Sequence, residues 1–137
     1  MRCVSKGPDV IDRFDHIVLT VENIPATIDF YQEVLGMKAR SFVSGGVERW
    51  ALHFGQGKIN LHEVGGEIEP RAENPTPGSA DLCFTTTRPI GQVMAEIALK
   101  GVELVERPIQ RSGARGTLVS IYLRDPDGNL IEVANEM

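Results

Sequence analysis

The chain predicts an α+β fold built from two tandem βαβββ modules, and three observations carry that prediction. The stretch FDHIVLTVENIPATIDFYQEVLGMKA (14–39) aligns with SADLCFTTTRPIGQVMAEIALKGVEL (79–104) at a constant offset of 65 residues, which sets Ile17 on Leu82, Leu19 on Phe84, Ile28 on Val93 and Gly36 on Gly101. Within each half one segment has helical spacing: Ile24, Ile28, Tyr31 and Leu35 in the first, and Ile90, Val93, Met94 and Ile97 in the second. Around these, short segments alternate apolar and polar residues with period two, the signature of strands with one buried face.

Taken in order, module one (14–64) reads as strands near 14–21, 37–43, 47–54 and 58–64 with a helix near 25–35. Module two (80–135) reads as strands near 80–87, 102–106, 117–124 and 130–134 with a helix near 89–100. Gly36 and Gly101 stand one position past the two helices, where a left-handed residue ends the helix. Residues 65–79, GGEIEPRAENPTPGS, form the linker between modules, and 107–116, RPIQRSGARG, read as a long loop. Residues 1–13 are an N-terminal extension, and 14–135 make up a single domain.

The bulk numbers bound the partners. At 137 residues the chain can bury a real core, roughly 68% of the surface exposed when unfolded. Its 42% hydrophobic and 24% charged residues are those of an ordinary globular protein. A net charge of −5 without a dense Lys/Arg run argues against nucleic acid as the partner. No apolar run nears the ~20 residues of a membrane helix, and the first residues lack the apolar core of a secretory signal. Cys3 and Cys83 are too few and too far apart for a disulfide framework or zinc ribbon. These missing signals make the cytoplasm the expected compartment.

Strand parity sorts the polar residues. Ile17, Leu19, Trp50, Leu52, Phe54, Ile59, Leu61, Leu82, Phe84, Val119, Ile121, Leu123, Ile131 and Val133 fall on faces that pack against the amphipathic helices. The opposite faces carry His16, Arg49, His53, Asn60, His62, Asp81, Cys83, Ser120, Tyr122, Arg124 and Glu132. A half-solvated sheet would place Lys, Thr and Glu there. The mixture of His, Asn, Asp, Cys and Tyr suits a concave, partly buried polar site instead.

DHIVLTVENIPATIDFYQEVLGMKA and SIYLRDPDGNLIEV together resemble the signatures of the vicinal oxygen chelate superfamily, the group of glyoxalase I, bleomycin-resistance proteins and extradiol dioxygenases. The resemblance spans residues 13–135, and GQGKINLHEVG followed by PGSADLCF is most similar to the glyoxalase domain-containing protein 5 group, near glyoxalase I. It implies an eight-stranded cup of mixed sheet with the helices on its convex side. It further implies one divalent metal (Zn, Ni, Mn, Co or Fe) held at matching positions of the two modules, and a homodimer. Residue by residue the ligand positions match His16, Asn60, Asp81 and Glu132. Glyoxalase I has His-Glu-His-Glu there, so Asn60 and Asp81 depart from its pattern, and His62, on the same face as Asn60, is a substitute ligand.

Each residue also has a plainer reading. Glu132 alone would be a solvated strand carboxylate, and His16 a satisfied core histidine; the motif and the matched module positions favour ligation, with Glu132 also the candidate catalytic base. Asp81, if buried, needs a partner, which a metal or His62 would supply. Asn60 cannot accept a proton at neutral pH and serves only as an oxygen ligand or a support for one. His53, His62 and Tyr122 line the pocket in this reading. Arg111, Arg115 and Arg124 are solvated charges or, at the mouth, hold an anionic group such as a carboxylate of a glutathione adduct. The resemblance implies a glyoxalase I-like lyase or isomerase acting on a small oxygen-rich substrate, such as a glutathione hemithioacetal, through a metal-stabilised enediolate. The rivals are a metal-free ligand-sequestering protein of bleomycin-resistance type and an Fe-dependent extradiol dioxygenase, the latter weakened by Asp81 in place of a histidine.

Overall fold

In the computed structural model, which describes residues 9–137, each module runs strand, helix, strand, strand, strand. Module one comprises β1 (His16–Val21), α1 (Ile24–Glu33), β2 (Lys38–Ser44), β3 (Val47–Phe54) and β4 (Gly57–Glu63). Module two comprises β5 (Asp81–Thr85), α2 (Ile90–Leu99), β6 (Glu106–Ser112), β7 (Thr117–Arg124) and β8 (Leu130–Glu136). The strands are hydrogen-bonded as two four-stranded mixed sheets of the same topology, in the orders β1-β4-β3-β2 and β5-β8-β7-β6. The first and last strands of each module are parallel neighbours, and the other pairs are antiparallel. The tandem α+β architecture predicted from the repeat is therefore the one observed. Cys3 and the start of the N-terminal extension lie outside the described residues.

Local chemistry explains the helices. Asn23 caps α1, its Oδ1 accepting the Ala26 amide at 2.8 Å, and Pro25 occupies the first turn. Gly36 ends the helix at φ 73°, and the chain turns back with Met37 N–H on the Tyr31 carbonyl. α2 has no cap in its own loop. Asn135 of β8 supplies one from across the module, its Oδ1 accepting the Ile90 amide at 2.8 Å. Its Nδ2 donates to the carbonyls of Thr86 and Arg88 at 2.9 and 2.8 Å.

The sixth strand is displaced from its predicted place. The sequence suggests a strand at 102–106 and a loop at 107–116, whereas β6 occupies Glu106–Ser112. Val102 and Leu104 do face the core, but without a ladder. The ladder with β7 runs from Ile109↔Ser120 to Ser112↔Thr117, after a register shift between Glu106 and Ile109. Pro108 falls in that shift, on the edge strand of the sheet, where a residue without an N–H is tolerated.

Both helices and the apolar faces of both sheets share one core, with Leu19, Val21, Leu52, Ile59, Leu61, Ile97, Ile121, Leu123 and Ile131 at 5% exposure or less. Burying each such aliphatic side chain stabilises the fold by roughly 1.5–3 kcal/mol. The Asp125–Asn129 turn fastens the modules together. Asp125 Oδ1 accepts the amides of Asp127 and Asn129, both at 2.9 Å. Its Oδ2 accepts Asn129 Nδ2 at 2.8 Å and the hydroxyl of Tyr31, from α1, at 2.7 Å. Asn129 Oδ1 takes the Ala80 amide at 2.8 Å, and Asp127 Oδ1 the Glu22 amide at 3.2 Å. The end of the linker is pressed so tightly on this turn that a Cβ at Gly78 (φ 81°) would lie 2.5 Å from the Asp127 carbonyl oxygen. The motif DPDG thus does more than turn the chain: it joins α1, the end of β1 and the start of β5.

Candidate functional site

The ladders place the predicted residues on the polar faces of the two sheets. In the first sheet His16 stands opposite Lys58, Val18 opposite Asn60, and Thr20 opposite His62. In the second, Asp81 stands opposite Leu130, and Cys83 opposite Glu132, which on its other side faces Tyr122. Val18–Asn60 and Cys83–Glu132 are thus equivalent pairs in the two modules, and so are His16–Asn60 and Asp81–Glu132 as diagonal neighbours on one face. The repeat therefore places polar side chains at matching positions of the two modules, one on the first strand and one on the last, as two candidate half-sites.

The half-sites differ in chemistry. His16 Nδ1 lies 2.8 Å from Asp15 Oδ2, so the proton belongs on Nδ1 and Nε2 is the free ring nitrogen. The neighbouring His16, through this hydrogen bond, holds the Asp15 carboxyl below its ordinary range. Asn60 Oδ1 is buried and has no hydrogen-bond partner among the described residues. On the second sheet Glu132 is half-buried, and Oε2 accepts the Ser120 hydroxyl at 2.6 Å, Ser120 itself being fully buried. The Cys83 thiol also bonds to Glu132; burial first, then the Glu132 charge and that bond, push the thiol up to about 11. Cys83 is therefore a protonated donor to Glu132 at neutral pH.

His16 and Asp81 line one groove of about 480 Å³ with Phe54, Lys58, Cys83 and Phe84, while neither Asn60 nor Glu132 lines it. His62 lies elsewhere, in a hollow of about 380 Å³ where the linker, with Glu67 and Arg71, folds over Val18 and Thr20. Among the described residues no three His, Cys, Asp or Glu side chains converge on a point where an ion could sit. Burial, followed by the charges of Arg40 and Lys58, holds the His53 imidazole below its ordinary value. Burial and Arg49 do the same at His62, against a smaller opposing effect of Glu67.

Of the predicted pocket arginines, Arg111 stays by the site: its Nε donates to the Tyr122 hydroxyl at 3.0 Å, and its guanidinium lies 5.7 Å from the centre of that ring. Arg115 pairs with Glu136 at 3.2 Å, and Arg124 donates to the Gly128 carbonyl at 3.3 Å. Sequence reading did not assign Ser120 and Cys83 as supports of Glu132, although parity had put both on its face. It also passed over Lys38, Arg40 and Lys58, which the registers place beside His53 and Ala51. The same alternation that sorts Asn60 and His62 would have found Lys58.

Residues 13–133 match the family model of the glyoxalase/bleomycin resistance protein/dioxygenase superfamily. The chain is 56% identical to virulence protein STM3117 of Salmonella typhimurium over 91% of its own length and 85% of that protein. The crystal structure of that protein superposes with a TM-score of 0.89, covering 94% of this chain and 100% of the other at 54% identity. Glyoxalase domain-containing protein RDO1 of Mycosarcoma maydis is 47% identical over 88% of this chain and 66% of that protein. An integron cassette protein from the mobile metagenome of V. cholerae matches with a TM-score of 0.90 at 50% identity, covering 96% of this chain and 100% of the other. With two modules of matched topology and a family match over nearly its whole length, the chain belongs to the glyoxalase/bleomycin resistance protein/dioxygenase superfamily.

Proposed function

We propose that the chain is a metal-dependent enzyme of glyoxalase I type, acting on a small oxygen-rich substrate such as a glutathione hemithioacetal. The observation that carries this reading is the orphaned Oδ1 of Asn60, buried on the face it shares with His16. A buried acceptor left unpaired costs about 1–3 kcal/mol, and a cation would relieve it. The other donors fit the same role. His16 presents Nε2 because Asp15 holds Nδ1, the usual arrangement of a ligating imidazole, and Glu132 brings a carboxylate oriented by Ser120 and Cys83. With Asp81 the set is one imidazole, one amide oxygen and two carboxylates. Such an oxygen-rich set leans toward Mn, with Fe, Zn, Co and Ni also within reach of imidazole and carboxylate ligands.

A divalent ion there supplies a Lewis acid that stabilises negative charge on neighbouring substrate oxygens. Glu132 takes a proton from the carbon beside the carbonyl and returns it to the adjacent carbon, while the Ser120 hydroxyl and Cys83 thiol fix its orientation. Asn60 cannot share that proton transfer, so the reaction runs on one carboxylate base. In this reading Tyr122, with Arg111 on its hydroxyl, flanks Glu132, and His53 stands one strand beyond Lys58 from His16. His16 and Asn60 stand on one sheet, Asp81 and Glu132 on the other. The site in this reading is completed when two copies pair as a homodimer and bring unlike half-sites together.

The test is elemental analysis of protein purified from metal-supplemented medium, combined with turnover. His16→Ala should lose the metal, and Glu132→Gln, reloaded with metal, should be slower by about 100-fold or more. Equal turnover by a metal-loaded Glu132→Gln protein would remove Glu132 from its role. The absence of a three-donor cluster among the described residues favours a second reading, a metal-free ligand-sequestering protein of bleomycin-resistance type. Protein that retains no metal yet binds a ligand stoichiometrically would decide for it. Oxygen uptake with a catechol would point instead to dioxygenase chemistry.

A further inference from the structure

The polar face of the first sheet is strongly cationic on a chain whose net charge is −5. Lys38, His53, Lys58 and His16 stand directly opposite one another in one row across β2, β3, β4 and β1. The next row is Arg40, Ala51, Asn60 and Val18, and beyond it Phe42 stands opposite Arg49. No carboxylate of the four strands shares this face: Glu48 and Glu63 have the parity of Leu52 and Leu61, toward the core. Of the acids around it, Asp15 bonds to His16 and Glu67 accepts the Gly65 amide at 3.1 Å, while Asp81 of the second sheet lines the groove that His16 and Lys58 also line. On the second sheet the corresponding face bears Asp81, Glu132 and Glu136 alongside Arg111 and Arg124, so charges of both signs meet there. A face basic without intervening carboxylates is therefore particular to module one.

None of the four permanent cations on this face is ion-paired among the described residues. Lys58 extends its Nζ to 4.2 Å from the centre of the Phe42 ring. Among the described residues Arg49 has a 3.5 Å contact from Nη1 to the Gly66 carbonyl, and its Nε–H has no acceptor. Like charges gathered on a sheet face repel one another, so the arrangement costs stability unless an anion relieves it.

We propose that this face seats the anionic groups of the substrate and binds a small polyanion, a di- or tricarboxylate or a phosphate ester. Lys38, Arg40 and Lys58 are the clamp, and Arg49 the more distant contact. Neighbouring strands are about 4.8 Å apart and alternate residues of a strand about 6.6 Å, so these flexible arms can converge on one compact molecule. The proposal rests on the functional reading above in one respect: His16 and Asn60 share the face, so the seated anion would present its oxygens there. A nucleic acid is the poorer occupant, because the rest of the molecule would repel an extended polyanion.

The test is isothermal titration calorimetry on protein stripped of metal over a chelating resin. Citrate, succinate and glycerol 3-phosphate are the probes, and acetate is the monoanion control. Citrate or the phosphate ester should bind saturably and far more tightly than acetate, and the affinity should fall as NaCl rises from about 50 to about 300 mM. Whichever of the two binds better identifies carboxylate or phosphate as the group recognised. Arg40→Met and Lys58→Met should each weaken binding by about tenfold or more, while Arg88→Met, whose guanidinium is paired with Glu96, should leave it unchanged. Circular dichroism checks each fold; if Lys58→Met does not fold, the double variant Lys38→Met/Arg40→Met carries the comparison. No saturable binding, equal binding by the variants, or displacement of citrate by a short oligonucleotide would each overturn the proposal. Metal retention is measured on a separate preparation. Anion binding without metal retention sinks only the metal-dependent reading, and metal retention without anion binding sinks only this one.

Discussion

Tyr31→Phe removes one oxygen from the centre of the molecule and tests whether the Asp125 turn holds the modules together. Tyr31 is fully buried, and its hydroxyl donates to Asp125 Oδ2 at 2.7 Å. A hydrogen bond from a buried hydroxyl to a carboxylate contributes about 1.5–3 kcal/mol. Asp125 would keep its three other donors, from Asp127 and Asn129, so the carboxylate is not abandoned and the loss should fall in the lower half of that range. Burial, then the Asp125 charge and the hydrogen bond to it, push the Tyr31 phenol well above its ordinary value. The sign of the pH dependence follows. An unfolded tyrosine ionises near pH 10, whereas the folded Tyr31 stays protonated, so its stabilisation is complete below about pH 10 and is lost as the pH rises further. Each unit above that value should erode the contribution by about 1.4 kcal/mol. Urea unfolding followed by circular dichroism, on parent and variant from pH 7 to pH 11, measures both effects, because the difference cancels the other alkaline titrations. The variant should be weaker at pH 7, and the gap should close above about pH 10. If the two proteins differ by less than about 0.5 kcal/mol at pH 7, or stay parallel to pH 11, the turn is not a clasp.

Three further outcomes follow from individual contacts. Asn135→Ala should destabilise the chain by about 1–2 kcal/mol and speed hydrogen exchange at Ile90, since it removes the acceptor that caps α2; an unchanged Ile90 amide would show that water replaces it. Gly78→Ala should lower the melting temperature by several degrees or more, because its Cβ meets the Asp127 carbonyl oxygen at 2.5 Å and its φ is 81°. In a Cys3→Ser background, iodoacetamide should modify Cys83 slowly at pH 8, the thiol lying at about 11. Glu132→Gln should move the alkylation profile to lower pH by removing the neighbouring negative charge, and an unmoved profile would deny the Cys83–Glu132 hydrogen bond.

Local chemistry made most of the fold legible. The 65-residue offset predicted two like modules, helical spacing placed α1 and α2 within a residue or two of their ends, and parity separated core faces from polar ones. The strand at β6 was misplaced because Val102 and Leu104 alternate like strand residues but pack, partly buried, against the core without a ladder, whereas the paired segment holds Pro108 and polar residues. An edge strand is defined by its neighbour's hydrogen-bonding groups, which local periodicity does not record. The cap of α2 was invisible for a similar reason: its acceptor, Asn135, lies 45 residues along the chain.

The candidate site divides the same way. Alternation alone determined that His16, Asn60, Asp81 and Glu132 occupy polar faces, since side chains two apart in a strand must share a side. Only the tertiary structure decided what each of them touches. Register brought Cys83 and Tyr122 beside Glu132, set Ser120 on its carboxylate, left Asn60 Oδ1 without a donor, and lined up Lys38, His53, Lys58 and His16 in one row. A residue's face follows from its own position in the strand. Its partners depend on how far each neighbouring strand has slid, which the turns, the bulge in β6 and the shared core settle together.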